Sequence, residues 1–200
     1  LYLYNDDQVQ FNSSYWPTVD PYRLPGTTVD TIQLADENSA FTTVTSPENW
    51  VGGVAYDGAA AVGMALDKTG TKNNGNVLPM NVRAKKSWFI IDGQIVALGA
   101  GITGDTTASI ETVVDNRLLN DAYTYQILSD QGSIDQLNET SSKQWLLLDS
   151  DHSQANIGYY FPEETTVNVV SETRTGSYTE INEAFPVSYT HLTLPTTPYV

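Results

Sequence analysis

The chain has 200 residues, 40% of them hydrophobic, and 24 acidic against 9 basic side chains give a formal net charge of −15. A surface of that sign repels nucleic acid and anionic membranes, and with no cysteine the chain forms neither a disulfide framework nor a thiolate metal site. No apolar run approaches the roughly 20 residues that span a bilayer, and the hydrophobic content suffices for one large β-domain or two small ones.

β-branched and aromatic residues alternate with Gly, Asn, Asp and Pro throughout, which predicts short strands and turns and gives helices little support. Residues 1–4 read as the first strand. The segment 15–28, YWPTVDPYRLPGTT, follows; its prolines stiffen the backbone, and Pro25-Gly26 fits a type II turn in which glycine supplies the positive φ. Residues 53–66 predict a strand broken at Asp57-Gly58, and residues 68–76 an exposed loop. Residues 87–91 and 94–98 predict a hairpin around Asp92-Gly93, a pair suited to a type I′ turn. Trp88 and Ile90 fall on one face of that hairpin and Phe89 and Ile91 on the other, so it is expected to be covered on both sides. Further strands are expected at residues 109–114, 144–148, 156–160 and 166–171. From residue 187 the sequence turns abruptly to a Thr/Pro-rich run that resembles a translated sequencing adapter, so residues 187–200 are set apart as a foreign or disordered tail.

Several residues carry candidate chemistry. Trp16, Tyr22 and Arg23 lie on the stiff loop, where aromatic faces suit sugar rings and a guanidinium fork suits a carboxylate or sulfate. The competing reading is a structural loop with Arg23 paired to Asp20 or Asp30. Arg174 and Tyr178, in RTGSY, form a second candidate pair, also readable as an ordinary turn. His152 is the one histidine outside the tail, which holds His191, and it reads as a turn residue. One usable histidine and no nucleophile elbow assemble neither a Ser/His/Asp triad nor a zinc cluster. Glu111 and Asp115 read as surface partners of Arg117, a type of pair that contributes little. The many carboxylates keep a glycosidase pair open, and no metal or other cofactor is called for.

Three segments together, YWPTVDPYRLPGTT (15–28), KSWFIIDGQIVALGAGI (86–102) and IGYYF (157–161), resemble in content and order the central β-domain of polysaccharide lyase family 8, which contains the hyaluronate, chondroitin and xanthan lyases. A weaker likeness reaches Ile181 and Asn182, and includes the strand that carries Glu111. The resemblance implies an all-β fold, a multi-layered antiparallel β-sandwich of the supersandwich type, present incompletely, with residues 1–186 as a truncated central domain. It implies a parent carbon–oxygen lyase that cleaves uronic-acid polysaccharide by β-elimination, using an asparagine, a histidine, a tyrosine and an arginine on an N-terminal α/α-toroid. No catalytic position then falls within this chain, which would wall the cleft and contact an acidic polysaccharide through Trp16, Tyr22, Arg23, Arg174 and Tyr178. The partners implied are that polysaccharide and the toroid, and the location is extracellular or periplasmic. The alternative is a non-catalytic carbohydrate-binding or structural β-sandwich.

Overall fold

A computed structural model describes residues 12–20, 22–31, 46–68, 82–104, 107–136, 138–181 and 188–198. The strand expected at residues 1–4 and all but Lys68 of the loop expected at residues 68–76 lie outside them. The described residues divide into two compact units, one holding those up to Thr27 and from Glu111 onward, the other those from Thr28 to Ile110. The second unit is therefore an insertion in the sequence of the first. After the single turn of α1 (Tyr15–Thr18) and β1 (Thr28–Asp30), it builds a four-stranded antiparallel sheet. The strands are β2 (Val51–Tyr56), β3 (Ala59–Asp67), β4 (Val82–Ile91) and β5 (Gln94–Gly104), in that order.

Both two-residue turns of this sheet fall where Asp-Gly pairs predict them. Asp57 and Gly58 have φ of 46° and 80°, and Asp92 and Gly93 have 51° and 75°, the double positive φ that a type I′ turn needs. Tyr56 then faces Ala59, and Ile91 faces Gln94. Val82 and Ala84, near the start of β4, are buried. The double coverage expected for the hairpin is absent among the described residues of this unit: Ile91, Val96 and Leu98 are exposed, as are Val51, Val54 and Tyr56 on β2. The sheet stands there as a single layer, with apolar side chains on its outer strands. Trp50 lies against it, its ring so close to Gly63 that a Cβ there would come within 2.7 Å of Cη2.

The first unit resumes within β6 (Ile110–Thr112), at Glu111. Within this unit Gly26 N–H donates to Val113 O (2.7 Å) and Val113 N–H to Thr27 O (2.8 Å), while in the other unit Thr31 N–H donates to Ser109 O (3.0 Å). Gly26 has φ 79° and Thr27 N–H reaches Leu24 O at 3.1 Å, the type II turn expected at Pro25-Gly26. Seven strands follow: β7 (Asp115–Leu118), β8 (Tyr125–Ser129), β9 (Gly132–Ser133), β10 (Asn138–Ser150), β11 (Ile157–Val170), β12 (Glu172–Ser177) and β13 (Ser188–Pro198), with the short α2 (Tyr178–Ile181) before the last. They make one antiparallel sheet in the order β12-β13-β11-β10-β8-β9, with β7 also paired to β13.

β10 is longer than expected, and β11 joins the two strands expected at residues 156–160 and 166–171, because polar residues 138–143 pair with residues 165–170. A bulge between Lys143 and Trp145 separates this ladder from the one in which Trp145 faces Tyr160. Leu146, Leu148, Val167 and Val169 alternate onto one buried face with Leu119 and Ile134, while Trp145 and Tyr160 lie on the exposed one. Residues 188–198, set apart in the sequence as a tail, form β13 here, with backbone pairing to β11, β12 and β7. The β-branched and aromatic content of this run suits a strand.

Candidate functional site

The turn carrying Trp16 is fixed first by its own short side chains. Ser14 N–H donates to Asn12 Oδ1 (2.9 Å), Thr18 Oγ1 to Ser14 O (2.7 Å), and Val19 N–H to Tyr15 O (2.8 Å). Tyr15 turns inward, and Trp16 stands edge-on to it with ring centroids 5.1 Å apart while remaining 61% exposed. Long-range contacts then seat the turn on β12 and α2. Arg174 Nε–H donates to Thr18 O (2.7 Å), and Tyr178 OH donates to Ser13 O (2.7 Å). Between these anchors Gly176 lies under Pro17 so closely that a Cβ there would overlap the Pro17 carbonyl. Only glycine permits that approach without displacing backbone.

Arg23 is held between two carboxylates. Its Nε–H donates to Glu111 Oε1 and its Nη1–H to Asp20 Oδ2 (3.0 Å). Burial works to lower the guanidinium pKa, but the hydrogen bonds to Asp20 and Glu111 outweigh it and the net shift is upward. Asp20 Oδ1 also accepts Tyr22 N–H (3.0 Å), and Asn116 Nδ2–H donates to Arg23 O (2.7 Å), so the segment is tied down at its side chains and its backbone. Behind it Arg117 Nε–H donates to Asp115 Oδ2 (2.6 Å), which also accepts Tyr159 OH. Asp115 and Arg117 are both fully buried.

The structure thus brings three of the expected residues, Trp16, Arg174 and Tyr178, together around one turn of the first unit, while Tyr22 and Arg23 lie on the loop that follows it. The groups of Arg23, Arg174 and Tyr178 named above all bond to protein partners, with the arginine side chains about one-third exposed. Arg174 Nη1–H donates to Glu172 Oε1 as well (2.9 Å). Arg23 does pair with Asp20, and its second partner is Glu111 rather than Asp30. The Asp115–Arg117 pair forms, but in the interior, which corrects the surface reading. His152 sits in a turn, its ring stacked on Tyr123 at 4.5 Å, and its N–H donates to Ser150 Oγ (3.1 Å). Asn116 and Gly176 escaped the sequence reading because their partners lie far away along the chain.

An all-β module of antiparallel sheets with an aromatic–arginine turn pinned to its edge is the class this fold and site define. The model described as "Polysaccharide lyase family 8, super-sandwich domain" matches residues 1–195, and the chain belongs to that family. It is 77% identical over 186 residues to hyaluronate lyase HylB of Enterococcus faecalis, covering 93% of this chain and 18% of that protein. It is 48% identical to the polysaccharide lyase 8 family protein HylA of the same species, covering 92% of this chain and 12% of the relative. The structure of Paenibacillus xanthan lyase superposes with a TM-score of 0.77 at 31% identity, over 99% of this chain and 19% of that one. The chain therefore spans only about a fifth or less of the length of these relatives.

Proposed function

We propose that the chain is part of a carbon–oxygen lyase that cleaves a uronic-acid polysaccharide, of hyaluronate, chondroitin or xanthan type, by β-elimination. The observation that carries this reading is the 77% identity to a hyaluronate lyase, sustained over 93% of the chain. In β-elimination the uronate carboxylate is neutralised, the adjacent C5 proton is removed by a base and the glycosidic oxygen leaves with a proton, which yields a 4,5-unsaturated sugar. This piece has a non-catalytic part in that reaction. Its carboxylates nearest the turn, Asp20, Glu111 and Asp115, are engaged with Arg23, Arg117 and Tyr159, which suits a scaffold better than a general acid or base.

Residues 1–186 wall one side of the cleft and hold an acidic polysaccharide through the segment that bears Trp16, Tyr22 and Arg23 and the strand and turn against it that bear Arg174 and Tyr178. An N-terminal α/α-toroid of the same parent supplies the reacting groups, and the parent works outside the cell or in the periplasm. The test is absorbance of the unsaturated product from hyaluronan, chondroitin and xanthan. The complete parent is expected to produce it and this chain expressed alone to be silent. Product from this chain alone would overturn the assignment of roles, and a parent with only a short segment upstream of it would favour a carbohydrate-binding module.

A further inference from the structure

The cationic and hydroxyl groups around the turn and the loop after it hydrogen-bond to the protein, while the largest aromatic ring of the turn is mostly exposed. Arg23 spends Nε and Nη1 on Glu111 and Asp20, so this cluster combines one positive group with two negative ones and is anionic as a whole. Arg174 spends Nε and Nη1 on the Thr18 carbonyl and Glu172, and Tyr178 gives its hydroxyl proton to the Ser13 carbonyl. The two carbonyls bracket Trp16 in sequence. Gly176 packs against Pro17, the residue next to it. The contacts of Arg174, Tyr178 and Gly176 fix the turn that carries the indole, and the guanidinium groups of Arg23 and Arg174 are each already paired with a carboxylate.

We propose that, within the lyase reading above, on which this inference rests, Trp16 is the polysaccharide-contacting side chain of the segment, and that Arg174 and Tyr178 are positioning residues holding its turn, while Arg23 is a positioning residue that ties down the loop directly after it. The indole offers a negative π-face to the weakly positive C–H groups on one face of a pyranose ring. Such a contact needs no opposite charge, so it works on a chain whose formal net charge is −15. Fixing the ring before sugar arrives lowers the ordering cost of binding. The segment therefore reads the shape of a sugar ring and leaves recognition of its carboxylate to groups elsewhere in the parent.

The experiment uses the complete parent enzyme and measures kcat, KM and the thermal midpoint for five variants. Trp16→Ala is expected to raise KM roughly three- to tenfold, the scale of one aromatic contact, with kcat and the thermal midpoint unchanged, and Trp16→Phe to restore most of the loss. Glu111→Gln is expected to raise KM in the same direction as Arg23→Ala, and the double variant to be no worse than the more damaging single one, because both changes loosen the same loop. If Arg23 instead grips the substrate carboxylate, Glu111→Gln frees its guanidinium and KM holds or falls while Arg23→Ala raises it; that result overturns the positioning role. A Trp16→Ala enzyme with an unchanged KM overturns the contact role. A parent that makes no unsaturated product overturns the lyase reading itself, an outcome distinct from either.

Discussion

The two units use the same antiparallel ladder in opposite ways. In the first, one face of a seven-stranded sheet is closed by Leu146, Leu148, Val167 and Val169, and the polar strand β7 pairs in the interior through Asp115, Arg117 and Tyr159. In the second, a four-stranded sheet with tight turns leaves Val51, Val54, Val96 and Leu98 open. Hairpin geometry can be complete without a core, because the turns and cross-strand pairing are local while burial needs a second layer. The first unit carries its own interior; the second presents a surface of the kind that marks an interface.

The contrast is sharpened most by emptying the polar interior. Asp115→Ala leaves the buried Arg117 without its carboxylate and is expected to cost about 3–5 kcal/mol, read as a lowered denaturation midpoint of the chain. Gly176→Val forces a side chain into the Pro17 carbonyl and is expected to cost about 1–3 kcal/mol, with an altered emission spectrum from Trp16 as its turn lifts. A pH effect belongs to the second unit. Burial, reinforced by the charge of Lys68, lowers the Lys86 pKa from its ordinary value of 10.5 to about 8. The unfolded chain then holds the extra proton between those values, so stability is expected to rise as pH climbs from about 8 to 10.5 and to lose that slope in Lys86→Met. Smallest of all, Val54→Thr with Leu98→Thr is expected to change the stability of this chain by about 0.5 kcal/mol or less. A large loss from the same pair in the complete parent would show that another layer covers the sheet there.

What was legible in the sequence follows the range of the interactions. Asp57-Gly58, Asp92-Gly93 and Pro25-Gly26 announce their turns because the required φ values are properties of those residues. Alternation located the cores of β3, β4, β5 and β11. It failed for β12, whose Thr, Arg and Gly read as a loop, and for β7, whose Asp-Asn-Arg reads as surface until Tyr159, 44 residues away, closes on Asp115. At the candidate site, residue types singled out the turn but not the partners of its groups. Arg23 finds Glu111 across 88 positions and Arg174 finds Thr18 across 156, separations at which no local pattern carries information.

Placing one unit as an insertion within the other has a consequence for chain entropy. Thr27 and Val113 are backbone neighbours in the first unit, as are Thr31 and Ser109 in the second, so the intervening excursion begins and ends in register. Each doubling of a closed loop's length costs only about 0.6 kcal/mol. Family members can therefore lengthen or shorten the hairpins between those neighbours at little thermodynamic penalty, whereas one residue added at the neck, beside Thr27 or Val113, would put the pairing out of step.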